Sequence, residues 1–292
     1  MGLTVGARSH PGIKRQHRPN EDSLLVAQGM RTHTVPPQSF GVFLVADGMG
    51  GQKYGQEASS LAIQTMVDQM LPKLSGNLEL RNTELRQLLI DAVRAANQAI
   101  HQRNQEQRTS MGTTITAAVV VGLTAFVANV GDSRTYLYRE PEGLRKITKD
   151  HSVVAYLVET GIIKPDDIYT HAQRNQIYRS LGANPLIQVD TFIEPLQTGD
   201  IVLLCSDGLW EMVRDERIQQ ILRDGTDPSQ MASALIEAAL DGGGADNVSV
   251  IVVQITGATS CTDAIGVQLL VKPETVELPN LSPGEPKQSL QE

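Results

Sequence analysis

Four aspartates, Asp22, Asp47, Asp207 and Asp246, each stand at the edge of an apolar, β-like run beside a turn signal. The local strings are RPNEDSLLV, VFLVADGMGG, IVLLCSDGLW and GADNVSVIVV. Asp132, in ANVGDSRTYLY, repeats the pattern. Strands that end in carboxylates gather them at one rim of a sheet, where an uncompensated cluster repels itself. A bound hard cation is the simplest physical reason to collect so many there. The chain reads as a metal enzyme.

Apolar runs rich in β-branched residues recur at 22–28, 40–46, 113–121, 124–130, 133–139, 187–193, 200–205 and 247–255, most bounded by Gly, Asp or Pro. Gly122 and Leu123 join two of them tightly enough for a hairpin. Helical spacing fills the gaps. Residues 55–71 put Ala58, Leu61, Ala62, Thr65, Met66 and Met70 on one face, and 83–107 carry a longer helix. Shorter helices are expected at 152–160, 215–223 and 228–240. Strands and helices come in blocks rather than in strict alternation, which predicts an α+β fold. Beyond residue 257 the pattern fades, and 272–292 is rich in Pro, Glu and Ser. Residues 257–292 therefore read as a flexible C-terminal extension of a 1–256 domain, although VQLLV (267–271) has the apolar content to dock.

The ligand chemistry narrows by exclusion. Catalytic zinc calls for His or Cys, and the six histidines show no HExxH or paired spacing. Cys205 and Cys261 offer neither a disulfide framework nor a zinc spacing, and Cys205 lies inside the IVLLCS run, as a buried thiol does. The sequence holds no Walker loop, GxGxxG, GxSxG elbow or EF-hand loop. Oxygen-only ligation is left, and it points to Mg²⁺ or Mn²⁺. Two such ions sharing one carboxylate acidify a water and clamp a phosphate, with no side-chain nucleophile required. Asp47 is the natural bridge. Gly48 lets the backbone come close to an ion, with its carbonyl as an extra ligand. A formal charge of −8 with no long Lys/Arg run argues against a nucleic-acid surface. No stretch reaches the length of a membrane span, and the expected compartment is the cytoplasm.

The strings NED (20–22), VADGMGG (45–51), GQEAS (55–59), MGTT (111–114), VGDSR (130–134), LCSDGLW (204–210) and GGADNVSVIVV (243–253) occur in one order across roughly residues 5–256. Together they resemble the type 2C metal-dependent serine/threonine protein phosphatases, bacterial type. The resemblance implies two antiparallel sheets packed as a sandwich, flanked by pairs of helices, with a dinuclear metal site at one end. It implies that Asp47 bridges both ions, Gly48 gives its carbonyl to the first, and Asp207 and Asp246 bind the second. Glu21 and Asp22 would sit beside the ions, directly or through water. Asp132 matches the position that bacterial members use for a third, weaker ion. The implied activity is hydrolysis of phosphoserine and phosphothreonine in proteins, by a water activated between Mn²⁺ or Mg²⁺ ions and without a covalent nucleophile. The substrates would be products of a bacterial serine/threonine kinase. Two other readings remain: a catalytically silent binding module on the same fold, and a phosphatase dedicated to an anti-sigma-antagonist type of switch protein.

The chain departs from the family pattern in two places. The family usually carries a phosphate-binding Arg five residues before the Asp of the NED-like motif, where this sequence has His17. Arg18 is the first choice for that role, together with Asp47 and Asp22 in catalysis, and Arg15 is the second. A planar guanidinium suits a pair of phosphate oxygens better than an imidazole does. Met49 stands where animal-type members have His, so leaving-group protonation falls to water or another residue. Residues 148–185 correspond to the family's flap, the place for substrate selectivity. Within it His151 is either a substrate contact or a cap in the KDHS turn. Trp210 is expected to pack beneath the site, Ser133 and Arg134 to anchor the VGDSR turn, and Thr113 and Thr114 to be structural.

Overall fold

A computed structural model describes residues 2–31, 38–51, 53–76, 80–257 and 268–271. The first half runs β1 (Gly2–His10), β2 (Asp22–Arg31), β3 (Gln38–Met49), α1 (Lys53–Leu74), α2 (Asn82–Gln107), β4 (Gly112–Thr113), β5 (Ile115–Val121) and β6 (Thr124–Val130). The second half continues with β7 (Arg134–Arg139), β8 (Gly143–Lys146), α3 (Val153–Glu159), a 3-10 turn (Pro165–Tyr169), β9 (Asp190–Pro195), β10 (Ile201–Cys205) and α4 (Asp207–Trp210). It closes with α5 (Asp215–Asp224), α6 (Pro228–Asp241), β11 (Val248–Thr256) and β12 (Gln268–Val271).

Two antiparallel sheets result. One has the order β1-β11-β10-β7-β8, and the other β12-β2-β3-β5-β6-β9, with β4 paired to the end of β3. Alternate residues of β3 supply two different cores, as a pleated strand must. Phe43 and Val45 pack between the sheets with Val26, Val120, Val202 and Ile251. Val42 and Leu44 face the opposite way, onto Ala62, Met66 and Met70 of α1 and Ala92 of α2. The other sheet buries its outer face under α4, α5 and α6 through Leu203, Ile218, Leu235 and Val250. Strands covered on both faces read as continuous apolar runs, which is why β3, β5 and β10 stand out in the sequence. The expected sandwich with helix pairs on both sides is the observed one.

β1, β8, α4 and the 3-10 turn escaped the sequence pattern, and the two-residue β4 straddles the start of the 113–121 run. The hairpin at Gly122–Leu123 forms as expected, with Val121 opposite Thr124 and Gly122 at φ +55°. The C-terminal extension differs in part from a flexible tail. Gln268–Val271, inside the VQLLV segment, pairs antiparallel with β2, Leu269 lying opposite Ala27. The remainder of 258–292 lies outside the described residues.

Candidate active site

The rim of the sandwich is assembled from strand ends. Asp22 opens β2 and is paired in register with Asp47 of β3. β10 ends at Cys205 and β11 begins at Val248, with Cys205 opposite Val250, so Asp207 and Asp246 emerge at the same end. Asp132 sits in the tight turn between β6 and β7. Backbone and hydroxyl contacts hold Asp47 in place. Its carbonyl accepts from the Thr113 hydroxyl at 2.8 Å and the Thr114 N–H at 2.9 Å, and its own N–H donates to Thr114 Oγ1 at 3.0 Å. Thr114 Oγ1 also meets Ser133 Oγ at 2.7 Å, so both threonines and Ser133 are structural here.

The carboxyl groups oppose one another. Burial first, then the negative charge of Asp207 and Asp246, pushes Asp22 up to about 7, against hydrogen bonds from Ser206 and Ser249. Burial and Asp207 raise Asp246 to about 7, with Arg15 pulling the other way. Burial and the same neighbours raise Asp47 well above the usual carboxylate range, and burial raises Asp132 likewise, with Asp207 and Asp150 adding to it. Burial also raises Asp207.

Several buried oxygens have no partner among the described residues: Oε1 of Glu21, Oδ1 of Asp22, Oδ1 of Asp207 and Oε1 of Glu211. Orphaned buried carboxylate oxygens are costly and demand a ligand. Hard divalent cations fit this all-oxygen set. Strand ends gather the carboxylates at one rim, yet among the described residues no three acidic, His or Cys side chains close into a ready-made cage. A cluster of like charges opens when no ion lies between them.

Glycine is required beside Asp47. A Cβ at Gly48 would run into the Gly55 carbonyl and lie 2.6 Å from the Glu21 carbonyl. Glu21 is pinned by its backbone: its N–H donates to Asn247 Oδ1 at 2.8 Å, and its carbonyl accepts from Ser59 Oγ at 2.6 Å. Burial raises its carboxyl, while Arg15 and Arg18 lower it.

The two candidate arginines take different places. The Arg15 guanidinium lies 2.5 Å from Asp246 and 3.5 Å from Glu21. Arg18 is exposed, shares a turn with Arg15 through its N–H, and makes no ion pair among the described residues. A backbone clamp sets this loop, since Ile13 N–H and Lys14 N–H both donate to the Gly244 carbonyl two residues before Asp246.

His151 is only 1 % exposed. Its Nδ1 accepts from the Gly131 N–H at 3.0 Å, and its Nε2 lies 3.2 Å from Asp190 and 2.9 Å from the Arg179 guanidinium. Its own N–H donates to the Gly131 carbonyl at 2.9 Å. A ring engaged at both nitrogens offers nothing to a substrate, and the expected substrate contact gives way to a role in fixing the turn that carries Asp132.

Sequence reasoning left three neighbours without a role at the rim. Ser206 donates to Asp22 Oδ2 at 2.7 Å. Asn247 ties Glu21 to the Pro11 carbonyl. Glu211 follows Asp207 by one helical turn, and burial and Asp207 push its carboxyl up to about 7. The i, i+4 spacing of Asp207 and Glu211 was the available signal for the last. Beneath them, Trp210 Nε1–H donates to the Asp132 carbonyl at 2.9 Å, and the Arg134 guanidinium lies 3.7 Å over its ring. Arg134 is itself paired with buried Asp150 at 2.7 Å.

The family model described as Protein phosphatase 2C matches residues 13–241. The chain belongs to the protein phosphatase 2C family. It is 37 % identical over 215 residues to the serine/threonine phosphatase stp of Listeria monocytogenes, covering 73 % of this chain and 84 % of that protein. It is 38 % identical over 255 residues to the serine/threonine protein phosphatase PstP of Mycobacterium tuberculosis, covering 87 % of this chain and 45 % of that protein. The crystal structure of the M. tuberculosis phosphatase PstP/Ppp superposes with a TM-score of 0.73 at 34 % identity, covering 88 % of this chain and 100 % of that one. The catalytic domain of PstP in complex with two manganese ions gives a TM-score of 0.71 at 34 % identity, covering 87 % and 98 %. In this protein phosphatase 2C, the orphaned oxygens of Glu21, Asp22 and Asp207 sit on residues that the family resemblance assigns to metal binding.

Proposed function

We propose that this phosphatase 2C hydrolyses phosphoserine and phosphothreonine in proteins phosphorylated by a bacterial serine/threonine kinase, in the cytoplasm. The observation that carries the reading is the set of mutually repelling carboxylates Asp22, Asp47, Asp207 and Asp246 gathered at one rim. Asp47 would bridge two Mn²⁺ or Mg²⁺ ions, with the Gly48 carbonyl on one and Asp207 and Asp246 on the other. Asp22 and Glu21 would act through water, and Asp132 would help hold a weaker third ion. When bound, these ions acidify a water and neutralise phosphate charge.

The chain's own residues orient and bind. Arg15, facing Asp246 and Glu21, is the guanidinium positioned to meet a phosphate entering beside them, in preference to exposed Arg18. Ser206 and Ser249 fix the aim of Asp22. Burial pushes the Cys205 thiol far up, which removes it as a covalent nucleophile. Met49 carries no proton to give, so the leaving alkoxide would take one from water or another residue. A silent binding module would lack some of these ligand positions, and here all are filled. Among the described residues no helix is long and apolar enough to cross a membrane.

The test is phosphate release from a phosphothreonine peptide with and without Mn²⁺. Mn²⁺-dependent release that disappears in Asp47→Ala supports the reading. Activity that survives EDTA, or persists in Asp47→Ala, overturns it.

A further inference from the structure

Beside the metal rim lies a cleft of about 520 Å³, bounded by Met49, His101, Gln105, Ser110, Ser180 and Ala183. It adjoins the site through β3 and β4. Met49 follows Asp47 by two residues on the same face of β3, about 7 Å along the strand. Gly112 pairs with Met49, and neighbouring Thr113 holds the Asp47 carbonyl. A side chain next to a phosphorylated residue bound at Asp47 is therefore within reach of it.

The cleft is pre-formed. Asn104 accepts from Thr109 Oγ1 and the Met111 N–H, and donates to the carbonyls of Met111 and Gly182. Those four bonds fix the end of α2 against the 109–112 loop and the 180–183 segment. Among the described residues, the walls carry no Asp, Glu, Lys or Arg. His101 is engaged at both ring nitrogens, Nδ1 meeting the Gly182 carbonyl at 3.3 Å and Nε2 meeting Gln105 Nε2 at 3.1 Å. Met49 and Met111 supply an adaptable apolar surface. The hydroxyls of Ser110 and Ser180 have no partner among the described residues and stay available. A charged side chain entering here would lose hydration without gaining a counter-charge, whereas an uncharged one would gain contacts and hydrogen bonds.

We propose that this cleft is a specificity subsite that takes an uncharged side chain flanking the phosphorylated residue of the substrate. The proposal rests on the phosphatase reading above. Its walls come from α2, the 109–112 loop and the 180–183 segment, the last at the C-terminal end of the flap region.

The experiment compares phosphothreonine peptides that differ only in one flanking residue (Gln, Leu, Glu or Lys), with p-nitrophenyl phosphate as a substrate that has no flanking residue. For the wild-type chain with Mn²⁺, Gln and Leu are favoured about tenfold in kcat/KM over Glu and Lys at one flanking position. Ala183→Trp fills the cleft and erases that advantage, while p-nitrophenyl phosphate turnover stays within about twofold. Ser110→Lys, a change at an exposed position, moves the preference toward Glu. Equal turnover of all four peptides by the wild type overturns the subsite. So does an equal loss on peptide and p-nitrophenyl phosphate in Ala183→Trp, or an unchanged ranking in Ser110→Lys. If the wild type hydrolyses neither substrate with Mn²⁺, the phosphatase reading falls instead.

Discussion

Asp22 lies directly opposite Asp47 in the β2–β3 ladder, two carboxylates on one face of adjacent strands. Like charges in that relation destabilise a sheet, so the fold carries an electrostatic cost that a cation relieves. In the metal-free protein Asp22 and Asp246 are raised from 3.8 to about 7. They keep protons that the unfolded chain has already shed, so their contribution to stability declines as pH rises from about 4 to about 7 and levels off above. Ions bind the deprotonated carboxylates, so the Tm difference between Mn²⁺ and EDTA samples widens over that window and exceeds about 5 °C at its top. Burial lowers His151, which pulls the other way below 6.5, but equally in both samples. Thermal melts across pH check this; a difference that does not change with pH refutes it.

Asp207→Asn separates stability from activity. It removes the charge that raises Asp22, Asp47, Asp132 and Asp246. The metal-free variant is expected to gain about 1–2 kcal/mol of stability. Mn²⁺-dependent phosphatase activity falls by at least about a hundredfold. Urea unfolding in EDTA and phosphopeptide kinetics give the two readouts.

The arginines are told apart by kinetics. Arg15→Ala lowers kcat/KM on a phosphopeptide by about 10–100-fold, the loss of a charge-assisted phosphate contact. Arg18→Ala, at an exposed position, stays within about threefold. The reverse order would return the phosphate to Arg18.

Asp150→Ala tests the support beneath the rim. Asp150 takes three nitrogen contacts from Arg134 and Lys146, and against its own burial these cations hold its carboxyl below the usual range. Removing it leaves Arg134 buried with no carboxylate partner, at about 3–5 kcal/mol. Chemical denaturation with Mn²⁺ present measures the loss, and Asp150→Asn, which keeps one acceptor, is expected to lose less.

The carboxylates and the core strands were legible in the sequence because each combines an uninterrupted apolar run with a turn residue. β1 was not. Its string GLTVGARSH has two glycines and an arginine, and it becomes a strand through nine paired positions with β11, a long-range partner that local pattern cannot reveal. The choice between Arg15 and Arg18 was equally hidden. Their distances from Asp22 in sequence are fixed, but the Gly244 carbonyl, more than two hundred residues away, sets which guanidinium turns inward. His151 reads as a polar loop residue until β9 brings Asp190 to its second nitrogen.

Trp210 is the only tryptophan in the chain, and its indole is bonded to the turn of Asp132 three residues after Asp207. The protein thus contains a single indole, bonded to the rim where the ions are expected. Cation uptake changes the field across that ring, so emission at one wavelength can follow ion binding in unlabelled protein without any substrate present.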